Sequence, residues 1–144
     1  LVRGATVTSG YWRNPEASAR ALANGWLHTG DLGVRDCDGG LAVVGRADDM
    51  LVTGGENVHP AEVESVLAEH PEVIDVAVAG LPDPDYGQRV AAWVVLAPGA
   101  VAGAPELESF ARARLAGYKL PRSWRFVREL PRNASGKLVR RALS

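Results

Sequence analysis

The sequence predicts an α+β fold, because runs with the spacing of amphipathic helices alternate with runs rich in β-branched residues. Residues 59–70 place apolar side chains on one face of a helix, and residues 107–115 do the same. Residues 73–79 and 90–96 are β-branched runs that indicate two buried strands. With 144 residues, 47% of them apolar, the chain is long enough to pack these elements around a hydrophobic core.

The first helix signal along the chain is Asn14-Pro15-Glu16. Asparagine is a good N-cap residue, proline fits the first helical turn, and a carboxylate is favoured near the positive end of a helix. We expect Gly25 to end this helix. Further on, residues 36–40 place aspartates and glycines between two short apolar runs, a pattern that indicates a hairpin loop.

The remaining elements follow from turn residues and short apolar runs. Residues 81–85 hold prolines and aspartates, which favours a turn or loop between the two predicted strands. Residues 98–105 also read as a loop, and Gly117 is expected to end the helix that follows. A short strand near residues 124–127 and a basic helix from about Lys137 complete the prediction.

Charge is distributed unevenly along the chain, although its formal net value is only −1. Residues 119–144 contain eight of the 16 Lys and Arg residues and one acidic residue, Glu129. Such a basic run is compatible with a solvated surface or with phosphate binding, and nucleic acid is one candidate anion. The run offers only Trp124 and Phe126 as stacking residues and no nucleic-acid motif, so we expect no nucleic-acid partner.

Cys37 is the single cysteine, so an internal disulfide is excluded. No run of eighteen apolar residues or signal-like N-terminus is present, which makes a cytoplasmic setting without a membrane span the default expectation. The three histidines do not form a metal-ligand spacing with Cys37, and we expect no protein-bound metal. Residues 1–4 read like the middle of a strand and Met50 is the one methionine, so we expect a fragment of a longer protein.

Lys137 follows a glycine in a Ser-Gly-Lys turn, which raises the question of a Walker-type phosphate loop. That loop requires glycine at position 131 and a hydroxyl residue at position 138, whereas the chain has Pro131 and Leu138. The spacing therefore excludes a Walker loop. From spacing alone, an exposed lysine beside a turn is the favoured interpretation.

Three motifs considered together change that interpretation. Residues 29–31 read Thr-Gly-Asp, residues 45–64 combine Gly-Arg-x-Asp with a glycine pair and a helix start, and residues 131–137 end in Ser-Gly-Lys. They resemble the C-terminal end of the acyl-adenylate-forming enzymes, a superfamily that includes acyl-CoA synthetases and peptide-synthetase adenylation domains. The resemblance implies a small mobile C-terminal lid domain over residues 46–144, with a β-hairpin and a three-stranded mixed sheet flanked by helices. Residues 1–45 would be the C-terminal remnant of the large AMP-binding domain.

In that superfamily the lysine of the last motif contacts the acid substrate and the ATP phosphates, so the resemblance makes Lys137 the catalytic candidate. A positioned ammonium group neutralises negative charge that builds up when a carboxylate attacks the α-phosphate. The resemblance also assigns Asp31 to the ribose hydroxyls and Arg46 to the ribose or phosphate of the nucleotide. Taken alone, Asp31 reads as a turn residue and Arg46 as a surface residue in an ion pair.

Asp48 matches the hinge residue of the superfamily, in which the lid rotates between adenylate formation and thioester formation. Gly54 and Gly55 are compatible with a plain hairpin turn or with close backbone approach to a ligand. In CoA-forming relatives the matching loop borders the pantetheine tunnel, and aromatic residues stack on the adenine of coenzyme A. The CoA-binding residues that this resemblance implies are Gly54, Gly55, Glu56, Tyr86, Tyr118, Lys119 and Arg122.

The implied reaction is ATP-dependent thioester ligation, in which an acid and ATP give acyl-AMP and pyrophosphate before coenzyme A displaces AMP. Mg²⁺ would arrive bound to ATP rather than in a cage built by this chain. Residues 53–60 resemble CoA ligases of fatty or aromatic acids more than domains that load a carrier protein, which are the alternative. A non-catalytic basic binding module and a lid acting in trans are further alternatives. The chain alone is expected to be inactive, because its partner would be the N-terminal domain of the same enzyme.

Overall fold

The computed structural model describes residues 1–143 and contains two compact units. The first unit ends at Asp48 and the second unit begins at Asp49. Among the described residues, no helix has the length and apolar character needed to cross a membrane.

The first unit consists of one short helix and two antiparallel hairpins. Helix α1 (Pro15–Ala21) begins as predicted, because the Asn14 side chain accepts a hydrogen bond from a first-turn amide at 3.0 Å. The helix ends before Gly25, so that part of the prediction is wrong: Asn24 and Gly25, both with positive φ, form the turn of the first hairpin. The predicted loop at residues 36–40 is confirmed as the turn of the second hairpin. The four strands are β1 (Leu22–Ala23), β2 (Trp26–Leu27), β3 (Asp31–Arg35) and β4 (Leu41–Arg46).

The first unit has no buried core of its own. None of residues 1–48 is buried, and several large apolar side chains are open to solvent. Trp12 is 87% exposed and Leu41 is 74% exposed. An apolar surface of this extent is typical of a segment that packs against further protein.

The second unit combines a hairpin with a helix-covered sheet. Its elements are β5 (Leu51–Thr53), β6 (Glu56–Val58), α2 (Pro60–Ala68), β7 (Val73–Asp83), β8 (Gly87–Leu96), α3 (Ala104–Arg112) and β9 (Ser123–Phe126). Strands β5 and β6 pair with each other, and the sheet has the order β7-β8-β9. Strand β7 is antiparallel to β8, whereas β9 is parallel to β8 and is reached through α3, as parallel neighbours require.

Alternate residues of the central strand β8 face two different apolar layers, as the two-residue period of a strand requires. Val90 faces the layer that contains α2 and α3, whereas Ala91 and Trp93 face a smaller layer covered by Leu130 and Leu143. The larger layer buries Leu51, Val58, Val63, Leu67, Val78, Val90, Ala92, Val94, Ala102, Leu107, Ala111 and Leu120.

The predicted α+β class is confirmed, with a β-hairpin and a three-stranded mixed sheet flanked by helices. The strands predicted at residues 73–79, 90–96 and 124–127 are all present. Helix α3 is shorter than predicted, because it ends at Arg112 and Gly117 begins a separate 3₁₀ turn.

Strand β7 is longer than predicted, since residues 81–85 were expected to form a turn or loop. The strand continues to Asp83 and includes Pro82, which is tolerated because β7 lies at the edge of the sheet. The turn that follows is closed by the Asp83 carboxylate. This carboxylate accepts hydrogen bonds from the amides of Asp85 and Tyr86 at 3.1 and 3.0 Å.

The basic helix predicted from Lys137 is wrong. The described residues beyond it contain only a 3₁₀ turn at Arg140–Ala142. The Lys137 amide donates to the side chain of Asn133, and the Val139 amide donates to the carbonyl of Pro131. These bonds fold the chain back on itself, and Val139 has φ −101 and ψ 80, angles that lie outside the helical region.

Candidate functional site

Lys137 lies on a tightly folded turn. We call residues 131–139 the Lys137 turn. Its two arms pair at Arg132 and Leu138. At its tip the Asn133 carboxamide oxygen accepts hydrogen bonds from the amides of Ser135 and Lys137 at 3.0 and 2.9 Å. The side chain of Asn133 therefore holds the backbone around Lys137 in place.

Arg132 attaches the Lys137 turn to the sheet. Its Nη1 donates to the carbonyl of Gly136 at 2.9 Å, and its Nη2 donates to Asp75 Oδ2 on β7 at 2.6 Å. Gly136 has φ +79, a conformation that favours glycine, so the tip could not easily accept another residue there. Lys137 is exposed, and no hydrogen bond or ion pair within residues 1–143 engages its ammonium group.

Asp31 lies beside Arg46 and Asp48 in the first unit, although it is 15 positions from Arg46 in the sequence. Asp31 and Arg46 are opposite each other in the β3–β4 hairpin, and Arg46 Nη1 lies 3.4 Å from Asp31 Oδ1. Arg46 Nη2 lies 3.7 Å from Asp48 Oδ2. One guanidinium group thus contacts both the predicted nucleotide-binding carboxylate and the predicted hinge residue.

Sequence reasoning missed two residues that hold the Arg46 side chain. The Thr29 carbonyl accepts a hydrogen bond from Arg46 Nη1 at 2.8 Å. A Cβ atom at Gly30 would lie 3.0 Å from Arg46 Nη2, and Gly30 has φ +75. A residue larger than glycine at position 30 would therefore disturb the guanidinium group as well as strain the backbone. The Thr-Gly-Asp motif was the available signal, but its glycine was read only as part of a turn.

The glycine pair forms the turn of the β5–β6 hairpin, which we call the glycine hairpin (residues 51–58). Gly54 and Gly55 have φ +58 and +85, as a two-residue hairpin turn with two left-handed positions requires. The interpretation as a hairpin turn is therefore confirmed. The additional role of close approach to a ligand stays a prediction.

The two glycines have different surroundings. The Gly54 amide donates to the Tyr86 carbonyl at 3.0 Å, and a Cβ atom at Gly54 would lie 2.9 Å from Tyr86 Cδ1. A Cβ atom at Gly55 would meet nothing within 4 Å. Gly54 is thus required by the packing of Tyr86, while Gly55 presents an uncovered backbone.

Two contacts attach the glycine hairpin to the tip of the β7–β8 hairpin. Besides the Gly54–Tyr86 bond, the Val52 amide donates to Gln88 Oε1 at 3.1 Å. Tyr86 is in turn covered by Arg122, whose guanidinium carbon lies 4.1 Å from the ring centroid. Gly54, Tyr86 and Arg122, three of the residues predicted to bind CoA, therefore lie together in the structure. Gln88, which helps to hold the glycine hairpin, was not predicted, because a lone glutamine in a strand carries no distinctive signal.

Lys119 is engaged by a carboxylate of α2. Its Nζ lies 2.5 Å from Glu62 Oε1, and this hydrogen bond raises the pKa of Lys119 against the opposing effect of burial. The same ammonium group lies 5.7 Å from the ring of Tyr118. Glu56 lies at the exposed start of β6, opposite Thr53. A phosphate that approached Lys119 would have to compete with Glu62.

The Lys137 turn and the glycine hairpin are attached to opposite ends of β7. Asp75, which holds the Lys137 turn, lies near the beginning of the strand, and Tyr86, which holds the glycine hairpin, lies just beyond its end. From Asp75 to Asp83 the strand spans roughly 26 Å at about 3.3 Å per residue. The second unit thus carries the Lys137 turn and the glycine hairpin at two distant places.

Residues 1–143 contain no group of three or more His, Cys, Asp or Glu arranged to hold a metal ion.

Residues 62–137, more than half of the chain, match the AMP-binding enzyme C-terminal domain family. The chain belongs to this family. The resemblance to the acyl-adenylate-forming enzymes is therefore confirmed.

Relatives of this AMP-binding C-terminal domain match nearly the whole chain. The 2-succinylbenzoate–CoA ligase of Geobacillus kaustophilus (strain HTA426) is 50% identical over 143 residues, which are 99% of this chain and 29% of that protein. The long-chain-fatty-acid–CoA ligase of Bacillus subtilis (strain 168) is 46% identical over 143 residues, 99% of this chain and 26% of that protein. The chain thus spans between a quarter and a third of the length of these relatives.

A solved structure shares the fold of both units. The o-succinylbenzoate CoA synthetase from Bacillus subtilis, in complex with its acyl-adenylate intermediate, matches with a TM-score of 0.92 and 42% sequence identity. The match covers 98% of this chain and 29% of that protein. At this identity the agreement supports homology of the AMP-binding C-terminal domain as well as likeness of fold.

Proposed function

We propose that the chain is the C-terminal part of an acyl-CoA synthetase. In the first half-reaction a carboxylate attacks the α-phosphate of ATP, the bond to pyrophosphate breaks, and acyl-AMP forms. In the second half-reaction the thiol of coenzyme A attacks the acyl carbon, loses its proton, and displaces AMP. Two relatives that match the chain end to end are CoA ligases, one of a fatty acid and one of an aromatic acid, which supports this assignment.

The observation that carries the proposal is the placement of two loops at opposite ends of β7. Asp75 and Asp83 are roughly 26 Å apart by strand rise, and this separation of the two attachment points favours loops that meet one reaction centre in turn, in two orientations of the second unit. An enzyme with two half-reactions has a use for each loop in turn. The Lys137 turn would serve adenylate formation and the glycine hairpin would serve thioester formation, with a domain rotation between them.

Lys137 acts as an electrostatic clamp in this proposal. Its exposed ammonium group, carried by a turn that Asn133 and Arg132 hold rigid, is suited to oxygens of the acid and the ATP phosphates. Charge accumulates there when two anionic groups react, and a preorganised cation lowers the barrier. Mg²⁺ would come with ATP and bridge its phosphates, which requires no ligand from this chain.

Asp31 and Arg46 would bind the nucleotide from the first unit. Only Oδ1 of Asp31 lies within 3.4 Å of Arg46 Nη1, and an ionised carboxylate has further lone pairs for ribose hydroxyls. Arg46 would bind the ribose or a phosphate with the edge of its guanidinium group that remains available. Its contact with Asp48 would then link nucleotide binding to the hinge.

Coenzyme A would approach the glycine hairpin. Gly55 and Glu56 would border the pantetheine arm, since the backbone at Gly55 is uncovered. Tyr86 or Tyr118 would offer a ring to the adenine. Arg122 and Lys119 would meet phosphates, the latter in exchange for its bond with Glu62.

We assign residues 1–45 to the end of a large AMP-binding domain and residues 46–144 to the lid, with Asp48 as the hinge. The division of the chain into compact units between Asp48 and Asp49 supports the hinge. The absence of buried residues in positions 1–48 supports the view that this segment is completed by an N-terminal domain of the same enzyme. The cytoplasm, where ATP and coenzyme A are present together, is the proposed location.

The test is acyl-CoA formation by the complete protein that carries this chain. The protein is incubated with ATP, Mg²⁺, coenzyme A and a panel of fatty and aromatic acids, and pyrophosphate and thioester are measured separately. We expect both products from at least one acid, and neither from residues 1–144 alone. Release of pyrophosphate by the isolated chain, or failure of the complete protein with every acid, would contradict the proposal.

A further inference from the structure

Arg140 connects three elements of the second unit through one guanidinium group. Its two terminal nitrogens bond the two oxygens of Glu64 on α2, and one of them also donates to the carbonyl of Val78 in β7 at 2.7 Å. Its Nε donates to Asp49 Oδ2 at 3.2 Å. The Arg140 side chain is 25% exposed and that of Glu64 is 17% exposed, so water competes only in part for these bonds.

The charges of this cluster favour a fixed geometry. Hydrogen bonding to Glu64 raises the pKa of Arg140 against the opposing effect of burial, so the group keeps its charge. A guanidinium group presents donors in a rigid plane that reaches several acceptors at once, which a lysine ammonium cannot reproduce. Glu64 is itself held by the Val78 amide at 2.7 Å. Glu64, the partner of Arg140 on α2, is therefore also held by β7.

Asp49 and Arg140 each lie close in the sequence to a residue with a proposed role. Asp49 directly follows Asp48, the proposed hinge residue. Arg140 follows Lys137 after two intervening residues, and those two are fixed by their pairing with the other arm of the Lys137 turn. The bond between Asp49 and Arg140 therefore closes a short, rigid connection between the hinge and the ammonium-bearing turn.

We propose that Asp49 and Arg140 form a positioning link, which holds the Lys137 turn in a fixed place relative to the hinge. A rotation at Asp48 would then bring the ammonium group to the reaction centre with the accuracy that adenylate formation needs. This inference rests on the proposed function and assigns two residues that the three motifs left without a role. The link is needed in the half-reaction that uses Lys137 and dispensable in the other.

A purely structural role of Arg140 would act through Glu64 and Val78, which tie α2 to β7. Asp49 separates the two roles, because its removal leaves those bonds of Arg140 in place. The test variant is therefore Asp49→Ala, and Asp49→Glu restores a carboxylate. Glu69→Ala is the matched control, since it removes another exposed carboxylate of the second unit, which lies 3.6 Å from Arg114 Nε.

The experiment measures both half-reactions in the complete protein, together with hydrogen exchange of peptides that cover residues 131–139. We expect Asp49→Ala to lower kcat of adenylation by about tenfold, because a displacement of about 1 Å in a catalytic group costs up to about 100-fold. The KM for ATP and the conversion of supplied acyl-AMP to thioester should stay within about twofold of wild type. Exchange of the Lys137 turn should become faster, Asp49→Glu should recover most of the adenylation rate, and Glu69→Ala should match wild type.

Equal losses in the two half-reactions, or an unchanged adenylation rate in Asp49→Ala, would overturn the link. Lys137→Ala is measured in parallel to keep the two proposals apart. If adenylation survives Lys137→Ala, the clamp role of Lys137 fails and the link loses its purpose, whereas a wild-type complete protein that forms no acyl-AMP with any acid contradicts the proposed function itself. If adenylation is lost in Lys137→Ala but unaffected in Asp49→Ala, the positioning link alone fails.

Discussion

Gly54 lies directly against the ring of Tyr86, so that a Cβ atom added at Gly54 would lie 2.9 Å from Tyr86 Cδ1. Its neighbour Gly55 has a similar left-handed backbone but open space around it. Two adjacent glycines of one turn therefore have separable physical reasons for lacking a side chain. One reason is packing, and the other, in our proposal, is access for coenzyme A.

The first prediction concerns the stability of the glycine hairpin. We expect Gly54→Ala to destabilise the second unit more than Gly55→Ala, by about 1–3 kcal/mol of overpacking in addition to the backbone strain that both share. Urea unfolding of both variants measures the difference. When Tyr86 is also replaced by alanine, Gly54→Ala should no longer lower the free energy of unfolding more than Gly55→Ala does. Equal destabilisation by the two alanines would contradict the contact between Gly54 and Tyr86.

The second prediction concerns the attachment of the Lys137 turn. Asp75→Ala removes the partner of Arg132 at 2.6 Å on a partly exposed surface, where an ion pair contributes only about 0–1 kcal/mol to stability. We expect a small change in the unfolding midpoint and a loss of about tenfold in adenylation. Asp85→Ala, at the far end of the β7–β8 hairpin, serves as control. An adenylation rate that is unchanged in Asp75→Ala would show that the turn is positioned without the bond between Arg132 and Asp75.

The third prediction concerns the hinge. Asp48→Pro fixes φ at that position and removes a backbone donor, so we expect it to slow thioester formation at least tenfold more than adenylation. Asp48→Ala removes the carboxylate near Arg46 but leaves the backbone free, and it should retain thioester formation. Half-reaction rates of the complete protein decide this. If the two variants lose the thioester step equally, the side chain rather than backbone rotation is responsible.

The fourth prediction concerns pH. Hydrogen bonding to Glu62 raises the pKa of Lys119 above its ordinary value of 10.5. A pKa raised on folding stabilises the folded chain fully below the unfolded pKa, and this contribution is lost as the pH rises through the folded pKa. We expect the urea midpoint of wild type to fall more between about pH 9 and about pH 11.5 than that of Glu62→Gln. Parallel curves for the two proteins would exclude the coupling.

Local signals in the sequence predicted much of the fold. The Asn14 cap, the Asp-Gly loop at residues 36–40 and the β-branched runs of β7 and β8 all depend on neighbours in the chain, and all are present. The errors lie where tertiary contacts override local preference. Pro82 stays in a strand because β7 is an edge, and no helix starts at Lys137 because Leu138 and Val139 pair with the other arm of the Lys137 turn.

In the candidate site, too, local motifs were readable from the sequence and tertiary contacts were not. The motifs indicated Asp31, Arg46, Asp48 and Lys137, but the residues that hold them in place were not predicted. Asp75 is 57 positions from Arg132 in the sequence, and Glu62 is 57 positions from Lys119. Such contacts depend on how strands and helices pack, and a charged residue in isolation gives no indication of its partner.

The fifth prediction concerns the alternating use of the Lys137 turn and the glycine hairpin, and it is tested by measuring the two half-reactions separately in Lys137→Ala and Gly55→Leu. We expect a crossed pattern. Lys137→Ala should lose at least about 100-fold in pyrophosphate release but convert supplied acyl-AMP to thioester near the wild-type rate, and Gly55→Leu should do the reverse. Comparable losses in both half-reactions by either variant would contradict the alternating use of the two ends of the sheet.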